Sequence, residues 1–247
     1  MPGKDRLRRT NEQSGVFVAG RTFSLTFDSK SGPARRDVRV DQAVIAGWTG
    51  RDPAAVEKHI AELEKLGVKR PATTPIFYRV AAARLTTDEA IEALGTQSSG
   101  EVEFVLLHTG GRLWVSAGSD HTDREVETYG VTVSKQMCDK PIAPVFWPFD
   151  EVGPHWNQLV LRAHIQDGGN SVLYQEGSVA GMLEPQALIA RYTRDGVLPE
   201  GTVMFCGTLG AIGGVRPSRS FALELHDPVL GRTIRHRYDI HSLPILG

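Results

Sequence analysis

No stretch of this 247-residue chain approaches the ~20 consecutive apolar residues of a membrane-spanning helix. The basic start, Lys4 to Arg9, has no apolar core behind it, so it does not read as a signal peptide and is expected to be a frayed terminus. An excess of one charge is also lacking: 28 basic side chains stand against 29 acidic ones, for a net charge of −1. That balance offers no field for nucleic acid or an anionic membrane. Cysteine is scarce. The 2 present, Cys138 and Cys206, lie far apart in no metal-ligand spacing and fit a reducing cytoplasm, the expected location. The glycines between Gly210 and Gly214 have no Lys-Ser/Thr tail, which excludes a P-loop.

What the chain does have is short strand-like runs. Its length suffices for one large domain or two small ones. Val16-Phe17-Val18 is followed by Thr22 to Phe27, where Phe23, Leu25 and Phe27 alternate onto one face. With Val38-Arg39-Val40 beyond a turn cluster at Asp28 to Pro33, these predict a small β meander, and Ala43 to Ala46 predicts a further strand. The clearest helix begins at Asp52-Pro53, runs through Ala54 to Leu66 and ends at Gly67, with Val56, Ile60 and Leu63 as its apolar stripe. Thr86 to Gly95 reads as a capped helical turn or loop, and Pro185 to Tyr192 as a short helix. Leu159 to Ile165 reads as a strand, and Phe221 to Leu225 with Thr233 to Tyr238 as a terminal hairpin. Its histidines, His226, His236 and His241, match no ligand spacing. Few helices among many strands, without regular βα alternation, predict a β-rich α+β fold.

The chain is organised around Ser99 to Gln136. Glu101 and Glu103 head the apolar run Phe104-Val105-Leu106-Leu107, and residues two apart on a strand face the same side. Two carboxylates crowded at the mouth of a buried strand repel each other and lose hydration. A hard divalent cation, Mg²⁺ or Mn²⁺, relieves both problems. Asp120, after the next apolar run, supplies a third acid. Taken alone, Glu-x-Glu reads better as a solvated strand end, a common edge-strand pattern, and Asp120 as a turn residue. In the predicted helix, Glu62 stands three residues after His59, within reach to fix its tautomer. A half-buried histidine beside a solvated glutamate is the other reading.

The run Gly100-Glu101-Val102-Glu103, then Ser119-Asp120-His121-Thr122-Asp123-Arg124-Glu125, then Lys135, resembles the fumarylacetoacetate hydrolase superfamily. Further stretches are similar in the same order. They are Gly50-Arg51 with His59-Ile60-Ala61-Glu62, Pro75 to Val80, Pro141-Ile142-Ala143-Pro144, Tyr174 to Met182, and Leu198 to Thr208. The chain departs from the pattern where Asn-Tyr is missing before His59, where Arg79 replaces a lysine, and where Asp139 arrives one residue late. The resemblance spans roughly Gly47 to Gly214.

It implies a mixed β-roll assembled as a homodimer, with an N-terminal β meander over 1–46 and a catalytic region over 47–247 in one continuous globular unit. It also implies one Mg²⁺ or Mn²⁺ ion on Glu101, Glu103 and Asp120. His59, Glu62 and Lys135 would be catalytic, and Arg79, Gly207 and Thr208 would contact substrate. Arg79 is equally a surface arginine at a strand end. The implied reaction is hydrolysis of a C–C bond in a β-dicarbonyl or acylpyruvate, with His59 activating water. An oxaloacetate-type decarboxylase, an isomerase or hydratase on the same site, a non-catalytic metal-binding dimer and a plain ligand-binding module stay open beside it.

Overall fold

Alternation in Phe23, Leu25 and Phe27 buries one face of the first strand, β1 (Arg21–Ser29), which pairs antiparallel with β2 (Gly32–Val40). The computed structural model describes residues 20–64 and 70–246; the side chains of His59, Glu62 and Leu63 also lie outside the described residues, as does the strand expected at Val16. β3 (Gln42–Gly47) leads to helix α1 (Pro53–Glu64), where Asp52 accepts the Ala54 N–H as a cap. β4 (Ile76–Val80), β5 (Leu85–Thr86), β6 (Ala90–Leu94) and β7 (Ser98–Ser99) follow. A second hairpin joins β8 (Val102–Thr109) to β9 (Arg112–Ser119), then come β10 (Thr122–Asp123) and the short helices α2 (Arg124–Glu127) and α3 (Val131–Met137). The order continues through β11 (Lys140–Pro141), β12 (Val145–Pro148), α4 (Phe149–Val152), β13 (Val160–Asp167) and β14 (Asn170–Ser178). It closes with α5 (Pro185–Tyr192), β15 (Thr202–Thr208), β16 (Ser220–Asp227) and β17 (Arg232–Leu243).

An eight-stranded mixed sheet, ordered β2-β1-β12-β9-β8-β15-β3-β4, faces a five-stranded sheet ordered β14-β13-β16-β17-β6. Strand β8 shows why. Phe104 and Leu106 join one apolar cluster with Leu161, Phe221 and Leu223 of the five-stranded sheet. Val105 and Leu107 join another with Leu25, Phe27, Ile45 and Phe205, inside the curl of the eight-stranded sheet. A strand buried on both faces reads as a continuous apolar run rather than an alternating one. Each fully buried side chain of this size stabilises the fold by about 1.5–3 kcal/mol relative to exposure. The fold is a β-rich α+β fold with few short helices.

The segment expected as a helical turn or loop at Thr86 to Gly95 is instead the end of β5 and the strand β6, which pairs parallel with the C-terminal half of β17. Ile91 and Ala93 alternate inward there, so tertiary pairing overrides the helical leaning of Glu92, Ala93 and Leu94. No helix among the described residues is long and apolar enough to cross a membrane.

Candidate metal centre

The β8–β9 hairpin assembles the acids. Its two-residue turn, Gly110-Gly111, has φ of 61° and 68°, the left-handed pair that a tight twisted hairpin needs. That turn fixes the register at Val102 opposite Ser119 and Glu103 opposite Gly118. Glu101 and Asp120 therefore meet one step beyond the ladder, where the Asp120 N–H donates to the Glu101 carbonyl at 3.0 Å. Carboxylate oxygens of Glu101, Glu103 and Asp120 lie within 4.8 Å of one another, with Glu103 and Asp120 buried and Glu101 half-buried.

Strand β15 forms the adjoining wall. Thr208 sits opposite Glu103, and the Gly207 N–H donates to Glu103 Oε2 at 2.6 Å. Gly207 has φ of 103°, and a Cβ there would lie 1.7 Å from Thr49 Oγ1, so only glycine fits. The Thr208 hydroxyl donates to the Val102 carbonyl at 2.8 Å and accepts from Gln175 Nε2 at 2.8 Å. Its proton is already engaged by the backbone.

Three cations surround the acids. Lys135 of α3 pairs with Asp120 Oδ2, and its Nζ stands 5.9 Å from the Tyr78 ring centroid. Lys140 of β11, wholly buried, places Nζ 3.0 Å from Asp120 Oδ1 and donates to the His121 carbonyl. Arg124, at the head of α2, holds Glu101 at 3.1 Å and Glu127 at 2.8 Å.

These neighbours split the acids electrically. Burial would raise the Asp120 carboxyl, but the ammonium groups of Lys135 and Lys140 outweigh it and hold Asp120 below the usual carboxylate range. Burial works to neutralise Lys135, yet Asp120 and Glu101 keep it charged and raise it above its ordinary value. Glu103 goes the other way. Burial, then the charges of Asp120 and Glu101, push it well above 4.5, and the Gly207 N–H and Lys135 oppose this only in part. Among the described residues Glu103 has no ion pair of its own. Hard oxygen donors, close together, with one carboxyl short of a cation, could hold a hard divalent ion such as Mg²⁺.

A buried polar chain braces the hairpin end. His121 bonds Tyr238 Oη through Nδ1 at 3.0 Å and Ser98 Oγ through Nε2 at 2.9 Å. Tyr238 Oη also meets Ser119 Oγ at 2.8 Å, and Ser119 Oγ accepts the Glu101 N–H at 3.2 Å. Burial, with Lys140 and Arg124 nearby, pushes the His121 imidazole down to about 3 and keeps it neutral.

Of the residues singled out in the sequence, Glu101, Glu103, Asp120, Lys135 and Gly207 come together, with Thr208 beside them and bonded inward. Arg79 is exposed on β4 and donates to Gln42 Oε1 at 2.9 Å. Asp139 pairs with Arg84 at 3.5 Å. The side chains of His59 and Glu62 lie outside the described residues, but the segment leading into their helix is anchored at the centre. Thr49 packs on Gly207, its carbonyl accepts the Leu183 N–H at 2.7 Å, and the Arg51 N–H donates to Gly181. Sequence reasoning missed Lys140, His121, Tyr238 and the roles of Arg124 and Gln175. Arg124 and Gln175 lie inside stretches already singled out, whereas Lys140 and Tyr238 carry no local signal.

Solved structures share this fold. Cg1458 matches with a TM-score of 0.58 at 12% identity, over 90% of this chain and 99% of that one. The apo form of 2-keto-3-deoxy-D-arabinonate dehydratase matches at 0.59 and 17% identity, over 86% and 77%. Its complex with magnesium and 2,5-dioxopentanoate matches at 0.58 and 17%, over 85% and 77%. No curated protein matches the sequence. A family model described as protein of unknown function (DUF2848) matches residues 46–238, a span from the end of β3 to Tyr238 that includes the whole acidic centre and its bracing chain. The chain belongs to that family.

Proposed function

We propose that this chain is a divalent-metal-dependent enzyme, similar to the fumarylacetoacetate hydrolase superfamily, that hydrolyses a C–C bond in a small β-dicarbonyl or acylpyruvate substrate. Glu103 is the observation that carries the reading. It is a buried carboxyl within 4.8 Å of two others, it lacks an ion pair among the described residues, and burial with the charges of Asp120 and Glu101 raises its pKa, which a bound cation would oppose. Glu101, Glu103 and Asp120 would hold Mg²⁺ or Mn²⁺, which as a Lewis acid stabilises charge developing on a carbonyl oxygen. Lys135 keeps a full positive charge beside Asp120 and attracts the substrate's oxygens. The Gly207 N–H fixes the Glu103 carboxylate. Arg79 would grip a substrate carboxylate with its guanidinium fork on leaving Gln42, to which it is bonded here. His59, oriented by Glu62, takes the proton from water as it attacks the carbonyl carbon, and the released carbon takes up a proton to complete hydrolysis.

A second reading is loss of water from a 2-keto-3-deoxy sugar acid. It is favoured by the likeness to the dehydratase solved with magnesium and 2,5-dioxopentanoate. Dehydration starts with loss of a proton beside the keto group, whereas hydrolysis starts with an activated water attacking a carbonyl carbon.

The test follows acylpyruvate cleavage with Mn²⁺ at the enol absorbance, with a 2-keto-3-deoxy acid and oxaloacetate in parallel. Glu103→Gln should abolish Mn²⁺ binding in calorimetry. His59→Ala should slow cleavage by roughly 10²–10⁴-fold with Mn²⁺ binding intact, and Glu62→Gln should do so more mildly. Cleavage by His59→Ala at the parent rate would sink the hydrolytic role, and turnover of the sugar acid alone would favour the second reading.

A further inference from the structure

Three of the four tryptophans, Trp114, Trp147 and Trp156, are sealed in the core at 5% exposure or less. Trp48 is only half-buried. Its backbone is also unusual. With φ of 59°, it is the one non-glycine residue among those described that adopts a positive φ. Large side chains rarely take that conformation, and where one does the surrounding structure has to hold it there. Here it is held from both sides. Gly47 before it pairs with Ile76 on β4, while Thr49 after it packs on Gly207 and accepts the Leu183 N–H. Strained backbone of this kind gathers at ligand sites.

The neighbours of Trp48 lead to the acidic centre. Its indole lends a hydrogen bond to the Tyr78 hydroxyl. Tyr78 stands opposite Ile45 on β3 and is itself half-buried. Its ring lies on the backbone of Gly47, where an added Cβ would come 3.1 Å from Tyr78 Cε2. The same ring reaches Lys135, whose Nζ is 5.9 Å from its centroid. Burial raises the Tyr78 phenol above its ordinary value and Lys135 opposes this, so the hydroxyl lies within the field of the centre. Strand β4 is also tied to the helix that carries Lys135, since the Ala81 N–H donates to Gln136 Oε1 at 2.9 Å. A path of neighbours therefore runs from the acids through Lys135 and the Tyr78 ring to the indole. Polarity falls along it. The charged end suits the oxygens of a keto acid, and the far end offers flat apolar surface.

We propose that Trp48 and Tyr78 form the acyl-binding wall of the centre and select substrates whose acyl end is aromatic or branched and apolar. This rests on the keto-acid reading given above and adds to it a substrate class, aroyl- or branched acylpyruvates in preference to short-chain ones. A phenyl ring moved from water onto indole and phenol faces gains from burial and from offset or edge contacts between rings. A methyl group in its place covers too little surface to gain as much.

The experiment compares 2-oxo-4-phenylbutanoate with 2-oxobutanoate, which differ by one phenyl ring and lack the β-dicarbonyl bond that would be cleaved. Calorimetry on the Mn²⁺-loaded protein reads affinity, and acrylamide quenching of tryptophan fluorescence reads access to the half-buried indole. The phenyl compound should bind about tenfold or more tightly and protect the indole, whereas 2-oxobutanoate should protect it little. Trp48→Gly adopts the positive φ without strain and so keeps the backbone. It should lose the protection and bring the affinity ratio close to one. Tyr78→Phe keeps the ring but drops the hydroxyl that steadies the indole, and should lower the ratio part-way. Equal affinities in the parent overturn the proposal, as does phenyl binding that leaves quenching unchanged, or a Trp48→Gly variant that keeps the ratio. The parent measurements stand even when neither variant folds. Binding of neither compound overturns the keto-acid reading together with this proposal, and the same titration tells it apart from equal affinities.

Discussion

His121 shows how a neutral residue can hold a charged site. Its imidazole is clamped between Tyr238 and Ser98, and it stays unprotonated down to about 3. Its ordinary value is 6.5, so on acidification the unfolded chain takes up this proton first. The stabilisation is complete above pH 6.5 and is lost as the pH falls toward 3. Between pH 6.5 and 5 the loss is about 2 kcal/mol. Glu103, raised above 4.5, contributes with the opposite sign, since the folded state there holds a proton that the unfolded chain has released. Comparing parent with His121→Asn isolates the histidine. Urea unfolding at pH 7 and pH 5 should show the parent losing more stability on acidification than the variant. Equal losses would place the effect elsewhere.

At the scale of elements, the turn from β15 into the site depends on one glycine. Gly207→Ala forces a side chain onto Thr49 at a backbone conformation that L-residues rarely adopt. It should cost about 2 kcal/mol or more in thermal unfolding and weaken Mn²⁺ by displacing the N–H from Glu103. Gly210→Ala, with open space around it, should change neither. Mn²⁺ affinity untouched in Gly207→Ala would mean that this N–H does not hold Glu103. The same scale explains what the sequence made legible. Glu101, Glu103 and Asp120 were readable because a hairpin's register is local: an apolar run, two turn glycines and a second run bring both ends together. Pro185–Tyr192 was readable from its own pattern. Strand β6 was not, because its partner β17 lies far along the chain and Glu92-Ala93-Leu94 leans helical by itself. Lys140 resembles any surface lysine after Asp139, and only the pairing of β11 with β5 buries it.

Across the whole molecule, the centre is stitched by contacts between distant parts of the chain. Gly207 reaches Glu103 across 104 residues, and Tyr238 reaches His121 across 117. Lys135 and Lys140 come from the segment between β9 and β12 of the eight-stranded sheet, and Tyr238 from the five-stranded one, so neither sheet alone makes the centre. Contacts of such separation are expensive to close and form late in folding. The cluster therefore has a place in time as well as in space. A cation arriving early finds the β8–β9 hairpin with its acids close but without Gly207 to fix Glu103 or Tyr238 to brace Ser119. Bound as proposed, it would act as a latch on the finished fold rather than as a seed for it. Stopped-flow refolding should proceed at the same rate with and without Mn²⁺, while unfolding in denaturant slows when Mn²⁺ is present. Faster refolding with the ion would place the centre in the folding nucleus. A latch that closes last is also the first to open, and loss of the ion would be felt as a shortened lifetime of the native protein before any change in its shape.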